Sequence, residues 1–177
     1  MVELFVERTY RPALTRDRVL AMGEGAAGCF NLYRIQWLES LLAADGGTMI
    51  CHFRAPDAES LRMALRVTDG AVPPLWPGSV HTAPGATPGE GNVVVERHFD
   101  TPVTLAGIQA LEDASAHCLE SRRVRFERTF FSRDGTRMIC IYRAPDAESV
   151  RQAQRQAGMP VARVWAFQRI APDALRH

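Results

Sequence analysis

Apolar and polar positions follow one order of signals that predicts strand, helix, strand, strand, helix, strand. Residues 2–10 (VELFVERTY) are rich in β-formers and split by alternation into an apolar set, Val2, Leu4 and Val6, and a mixed set, Phe5, Glu7 and Thr9. Thr15 can cap a helix on which Val19, Met22, Ala26, Cys29 and Phe30 fall at helical spacing. Residues 34–43 and 48–54 read as strands joined by a hairpin at Asp45-Gly46. Pro56 then stops the strand, Asp57 can cap a second helix, and Glu59 lies in its first turn, where the helix dipole favours an acid. A short strand around Trp76 closes the unit.

The whole succession returns 89 residues later without a gap, and 25 of the 71 positions from Val6 to Trp76 are identical to their counterparts, which only a duplication explains. VER(6–8) and MICHFRAPDAES(49–60) reappear as VER(95–97) and MICIYRAPDAES(138–149). In the second copy Ile108, Leu111, Ser115, Cys118 and Leu119 repeat the helical stripe, with Gly107 in place of the three glycines Gly23, Gly25 and Gly28. The order βαββαβ, twice, predicts an α+β fold of two tandem ferredoxin-like repeats packed sheet to sheet as a pseudo-dimeric α+β barrel. The expected boundaries are repeat 1 at 1–76, a Pro/Gly-rich linker at 77–92, repeat 2 at 93–170 and a tail at 171–177. The terminal His177 is expected to be frayed.

Composition narrows the function classes. The chain is 46% hydrophobic with a formal net charge of +1, so it reads as globular and nucleic acid is not an expected partner. All 21 basic residues are arginine, which excludes Schiff-base lysine chemistry and the phosphate-loop lysine. No run approaches the ~18 apolar residues of a membrane span, and no signal sequence opens the chain, so a cytoplasmic protein without a membrane partner is expected. The four cysteines form no CxxC pair and are expected to be buried free thiols. Trp37, Trp76 and Trp165 are expected to anchor core or interface, His81 to be a solvated linker residue, and His117 to be exposed.

Alternation also places the candidate chemistry. Met49, Cys51 and Phe53 should face the helices, leaving Ile50, His52 and Arg54 on the opposite face with Phe5, Glu7 and Thr9. The second copy offers Glu96, His98 and Arg143 there. The first and third strands of such a sheet are neighbours, so Glu7 is expected near His52 and Glu96 near Arg143. Carboxylate and imidazole groups of this kind can act as acid and base or ligate a borderline metal, and they can equally form structural ion pairs. His52 has Ile141 as its counterpart and His98 has Thr9, so each histidine breaks the internal symmetry.

VERHF(95–99), RMICIYRAPDAESVRQAQRQAGMPVARV(137–164) and the cysteine-bearing first helix resemble a family of small bacterial ferredoxin-like proteins described as nickel-binding, here in tandem. The resemblance implies pairing of two such units and metal binding through histidines on the first strand and in a Gly-His-Pro after the second helix. His98 matches the first of these positions, while Thr9, Gly70 and Met159 occupy the others. The expected function is a small-ligand or transition-metal-binding protein with its site between the repeats. Glu7, Thr9, His52, Arg54, Glu96, His98 and Arg143 are its expected lining, and His98 and His52 the ligands of a weakly held nickel or other divalent ion. The alternatives are a cofactor-independent isomerase, cyclase or monooxygenase and a pocketless scaffold or stress protein. The chain is expected as a monomer with an internal pseudo-dimer or as a homodimer.

Overall fold

The computed structural model describes residues 1–172. Its elements are β1 (Val2–Thr9), α1 (Arg16–Leu32), β2 (Gln36–Ala43), β3 (Thr48–Ala55), α2 (Ala58–Asp69) and β4 (Leu75–Thr82), then β5 (Val93–His98), α3 (Leu105–Ala114), α4 (Ala116–Glu120), β6 (Arg125–Ser132), β7 (Arg137–Arg143), α5 (Ala147–Ala157) and β8 (Arg163–Ile170). Among the described residues the chain forms two compact units, one holding Met1–Gly78 with 168–172, the other Ser79–Phe167.

In the first unit β1 pairs antiparallel with β3 and β4, and β3 pairs with β2; in the second, β5 pairs with β7 and β8, and β7 with β6. That is ferredoxin-like order in both repeats. The caps are those the sequence predicts: Thr15 accepts from the Arg18 amide at 3.3 Å, Asp57 from Ser60 at 2.7 Å, and Asp146 from Ser149 at 2.7 Å. The hairpin glycines Gly46 and Gly135 have φ of 71° and 73°, a conformation that a β-carbon penalises.

Each repeat buries its own core between sheet and helices. Leu4, Val6, Met49, Cys51 and Phe53 pack with Val19, Ala26 and Phe30 of α1 in the first, as strand alternation predicts. Val93, Val95, Met138, Cys140 and Tyr142 pack with Ile108 and Leu119 in the second.

Three expectations need correction. The helical stripe of the second copy is not one helix: the chain breaks at Ser115 (φ −118°, ψ 20°) between α3 and α4, and Leu111 is exposed, because Glu112 turns inward to meet the hydroxyl of Tyr142 at 3.0 Å. Of the four free thiols Cys51, Cys118 and Cys140 are buried, whereas Cys29 is only partly so. Segment 77–92 is not a free linker: β4 runs through Thr82, and the turn that follows is tied to β6 through Ala83 N–H on the Glu127 carbonyl (2.8 Å) and Gly89 N–H on the Glu127 carboxylate (3.0 Å). His81 lies on β4, exposed, 2.7 Å from the Ser79 hydroxyl. His117 is exposed, and His177 lies outside the described residues.

Candidate functional site

The face of the first repeat's sheet that turns away from its helices carries a buried polar cluster centred on His52. Strand β3 places His52 opposite Phe5 of β1, and the two rings stack with centroids 4.8 Å apart and planes 23° from parallel. Phe5 in turn lies 4.6 Å from the Trp76 ring. His52 Nε2 is 2.5 Å from Glu3 Oε2, and Nδ1 is 3.5 Å from Glu39 Oε1. Each of those acids holds an arginine as well. Glu3 accepts from Arg54 Nε and Nη2 at 2.9 and 2.7 Å, and Glu39 accepts from Arg169 Nε at 2.7 Å.

His52 and Glu39 are 5% and 2% exposed, while the arginine side chains remain 43% and 39% exposed, so the cluster runs from solvent into the interior. Burial alone would raise the Glu3 carboxyl, but hydrogen bonds from Arg54 and His52 outweigh it and hold the group below its ordinary value. Glu3 is therefore a carboxylate at neutral pH. A protonated His52 ring donates to both acids; a neutral ring donates to one and leaves an acceptor facing the other.

The remaining expected residues are elsewhere. Glu7 pairs in register with Ile50 and accepts from Trp76 Nε1 at 2.8 Å. Glu96 does the same in the second repeat, accepting from Trp165 Nε1 at 2.9 Å and from Arg163 Nε at 2.5 Å. Arg143 is exposed and reaches the Glu90 carbonyl rather than Glu96, whose register partner is Ile139. Thr9 and His98 stand exposed at equivalent ends of β1 and β5, and His98 pairs in register with Arg137. The Glu–Trp pair is a shared structural device, because both members recur at the repeat offset and both copies form it.

Sequence reasoning missed Glu3, Glu39 and Arg169. Glu3 was legible, since it alternates with Phe5 and Glu7. Glu39 is displaced by a β-bulge between Trp37 and Glu39 that alternation cannot foresee. Arg169 arrives from 130 residues away.

The donors present do not fit a nickel centre. A tight site needs several imidazole, thiolate or carboxylate donors converging on one point. Both ring nitrogens of His52 face acids that are themselves held by arginines. His98 is exposed at the end of β5 with Arg137 across from it. Among the described residues no group of three or more His, Cys, Asp or Glu side chains is placed to hold an ion.

Solved structures with this architecture include chlorite dismutase from Candidatus Nitrospira defluvii, at TM-score 0.55 and 10% identity over 98% of this chain and 92% of that one. A second chlorite-dismutase-like protein aligns at TM-score 0.52 and 8% identity, covering 96% of both chains. Both likenesses span the two repeats and show the fold alone, the tandem α+β class of the dimeric α+β barrels. No curated relative matches the chain. The SCO4226-like family, described as nickel responsive proteins, matches residues 5–73 and again 94–166, one match per repeat. With four-fifths of its length covered by these two matches, the chain belongs to the SCO4226-like nickel responsive protein family, as a tandem duplication.

Proposed function

We propose that this protein binds a small polar organic molecule at the His52 face of its first repeat, and that any divalent metal it holds, nickel included, is held weakly. The observation that supports this most is the Glu3–His52–Glu39 arrangement. Burying an imidazole and a carboxylate costs several kcal/mol in desolvation unless they are fully paired, and apolar side chains would fill the same space more cheaply. The second repeat lacks the arrangement: Ile141 replaces His52, Asn92 replaces Glu3 and Arg128 replaces Glu39. A structural requirement of the fold would appear in both copies. Phe5 and Trp76 beside the cluster are themselves buried, and the half-exposed Arg54 and Arg169 side chains give it an approach from solvent.

The test is a thermal-shift panel of amino acids, hydroxy acids, nucleobases and divalent ions on untagged protein, run beside His52→Ile, which installs the second repeat's residue. The proposal expects at least one organic compound to raise the melting temperature of the native chain and not of the variant. A panel in which only metal ions stabilise, or in which the variant responds equally, overturns it. The same cluster could serve as acid and base in a cofactor-independent reaction; turnover of the organic ligand found in the panel would favour that reading.

A further inference from the structure

On the other side of the same sheet, the first repeat contains a second polar opening. A cavity of about 40 Å³ between α1 and the sheet is walled by Phe30, Trp37 and Phe53 and reaches Arg8 and Asp69. Arg8, Met22, Ala26 and Asp69 also line an adjoining groove of about 840 Å³, whose rim carries Tyr10, Arg11 and Arg18. Arg8 and Asp69 form an ion pair, with side chains 10% and 21% exposed. The buried Arg8 Nε and Tyr10 hydroxyl have no hydrogen-bond partner. Burial opposes the charge on Arg8, but Cys51, Tyr10 and Asp69 around it hold the guanidinium well above its ordinary value, so it stays cationic.

The second repeat shows what this space is like when closed. Arg97, the counterpart of Arg8, is fully buried and donates to Tyr142 Oη at 3.1 Å, to Gln154 Oε1 at 2.8 Å and to the Pro160 carbonyl at 2.7 Å. Tyr142 passes its own proton donor to Glu112. At the four positions that build this filling, the first repeat has Gly23 for Glu112, Phe53 for Tyr142, Leu65 for Gln154 and Trp37 for Phe126. Nε is unpaired in Arg97 too, but the unpaired hydroxyl of Tyr10 is peculiar to the first repeat, where Phe99 is its counterpart.

We propose that this opening binds a small carboxylate with a short apolar tail, the carboxylate accepting from Arg8 and Tyr10 and the tail entering the cavity beside Phe30, Trp37 and Phe53. Three arginines around a single acid, Asp69, favour an anion, and the aromatic walls favour a hydrocarbon chain. The cavity has room for a few methyl-sized groups, since roughly 10–15 Å³ by this measure admits one water. This site lies apart from the His52 face, on the helix side of the sheet, and does not depend on the reading of that face.

Hexanoate is the probe, titrated calorimetrically into the full untagged chain with hexan-1-ol and inorganic phosphate as controls. Saturable binding of one hexanoate per chain is expected, at least about tenfold weaker in Arg8→Met, as expected for a lost charge-assisted hydrogen bond. Neither control should compete. A second variant, Gly23→Glu with Trp37→Phe, Phe53→Tyr and Leu65→Gln, copies the filling of the second repeat around an arginine that is still present; it should fold and lose hexanoate. No saturable binding to the native chain, equal binding of the alcohol, or unchanged binding in the filled variant would overturn the proposal. His52→Ile should leave hexanoate binding intact, which separates this site from the other.

Discussion

Gly23 lies directly under the ring of Trp37: a β-carbon built on it would stand 2.5 Å from the nearest ring atom. This explains a glycine in the middle of the seventeen-residue helix α1, where helix propensity argues against one. Removing the glycine sets two effects against each other. Gly23→Ala gains about 1 kcal/mol of helix propensity and loses about 1–3 kcal/mol to overpacking against Trp37. Urea unfolding should find the single variant less stable than the native chain. In a Trp37→Phe background the same substitution should turn favourable, a coupling of at least about 1 kcal/mol in the double-mutant cycle.

Glu112 supplies a pH-dependent counterpart in the second repeat. Burial raises its carboxyl above the ordinary value, against the opposing effects of the Tyr142 hydrogen bond and the Arg97 charge. A raised acid favours the folded state below its unfolded pKa and erodes that stability as pH rises through the shifted value. Glu112→Gln keeps an acceptor for Tyr142 and removes the titration. Its stability relative to the native chain should therefore improve as pH rises from about 4 toward 7. A constant difference across that range would show that Glu112 does not titrate as its surroundings dictate.

Asp134 has the opposite sign. Hydroxyls of Ser132 and Thr136, both at 2.7 Å, and the Thr136 amide at 3.0 Å hold its carboxyl down at about 2. A depressed acid contributes stability above its unfolded pKa, and that contribution is lost as pH falls from about 4 to its folded value. Asp134→Asn should flatten the acid limb of the stability profile in that window and leave the profile above about pH 5 parallel to the native one. An unchanged acid limb would contradict the hairpin geometry.

The fold was largely legible because it rests on local signals. Thr15, Asp57 and Asp146 cap helices, Asp45-Gly46 and Asp134-Gly135 turn hairpins, and the 89-residue repeat lets each copy check the other. The candidate site was less legible. His52, Arg54 and Phe5 could be put on one face by alternation, but Phe5 stands opposite His52 with Glu3 and Glu7 each two residues away, and alternation does not say that Glu3 is the one that reaches the ring. Glu39 required a bulge and Arg169 a long-range strand, neither of which periodicity encodes. The opening around Arg8 was legible only by comparison of the repeats, because none of Gly23, Phe53 and Leu65 points to it alone.

Both ring nitrogens of His52 face acids held by arginines, and the proposed role of this face is to hold a small molecule rather than a tightly bound metal. Calorimetric titration of nickel into untagged protein at neutral pH, with His52→Ile and His98→Ala alongside, tests it most directly. No submicromolar nickel binding, and at most one weakly held ion per chain, is expected. Submicromolar binding of several ions that survives both substitutions would contradict it.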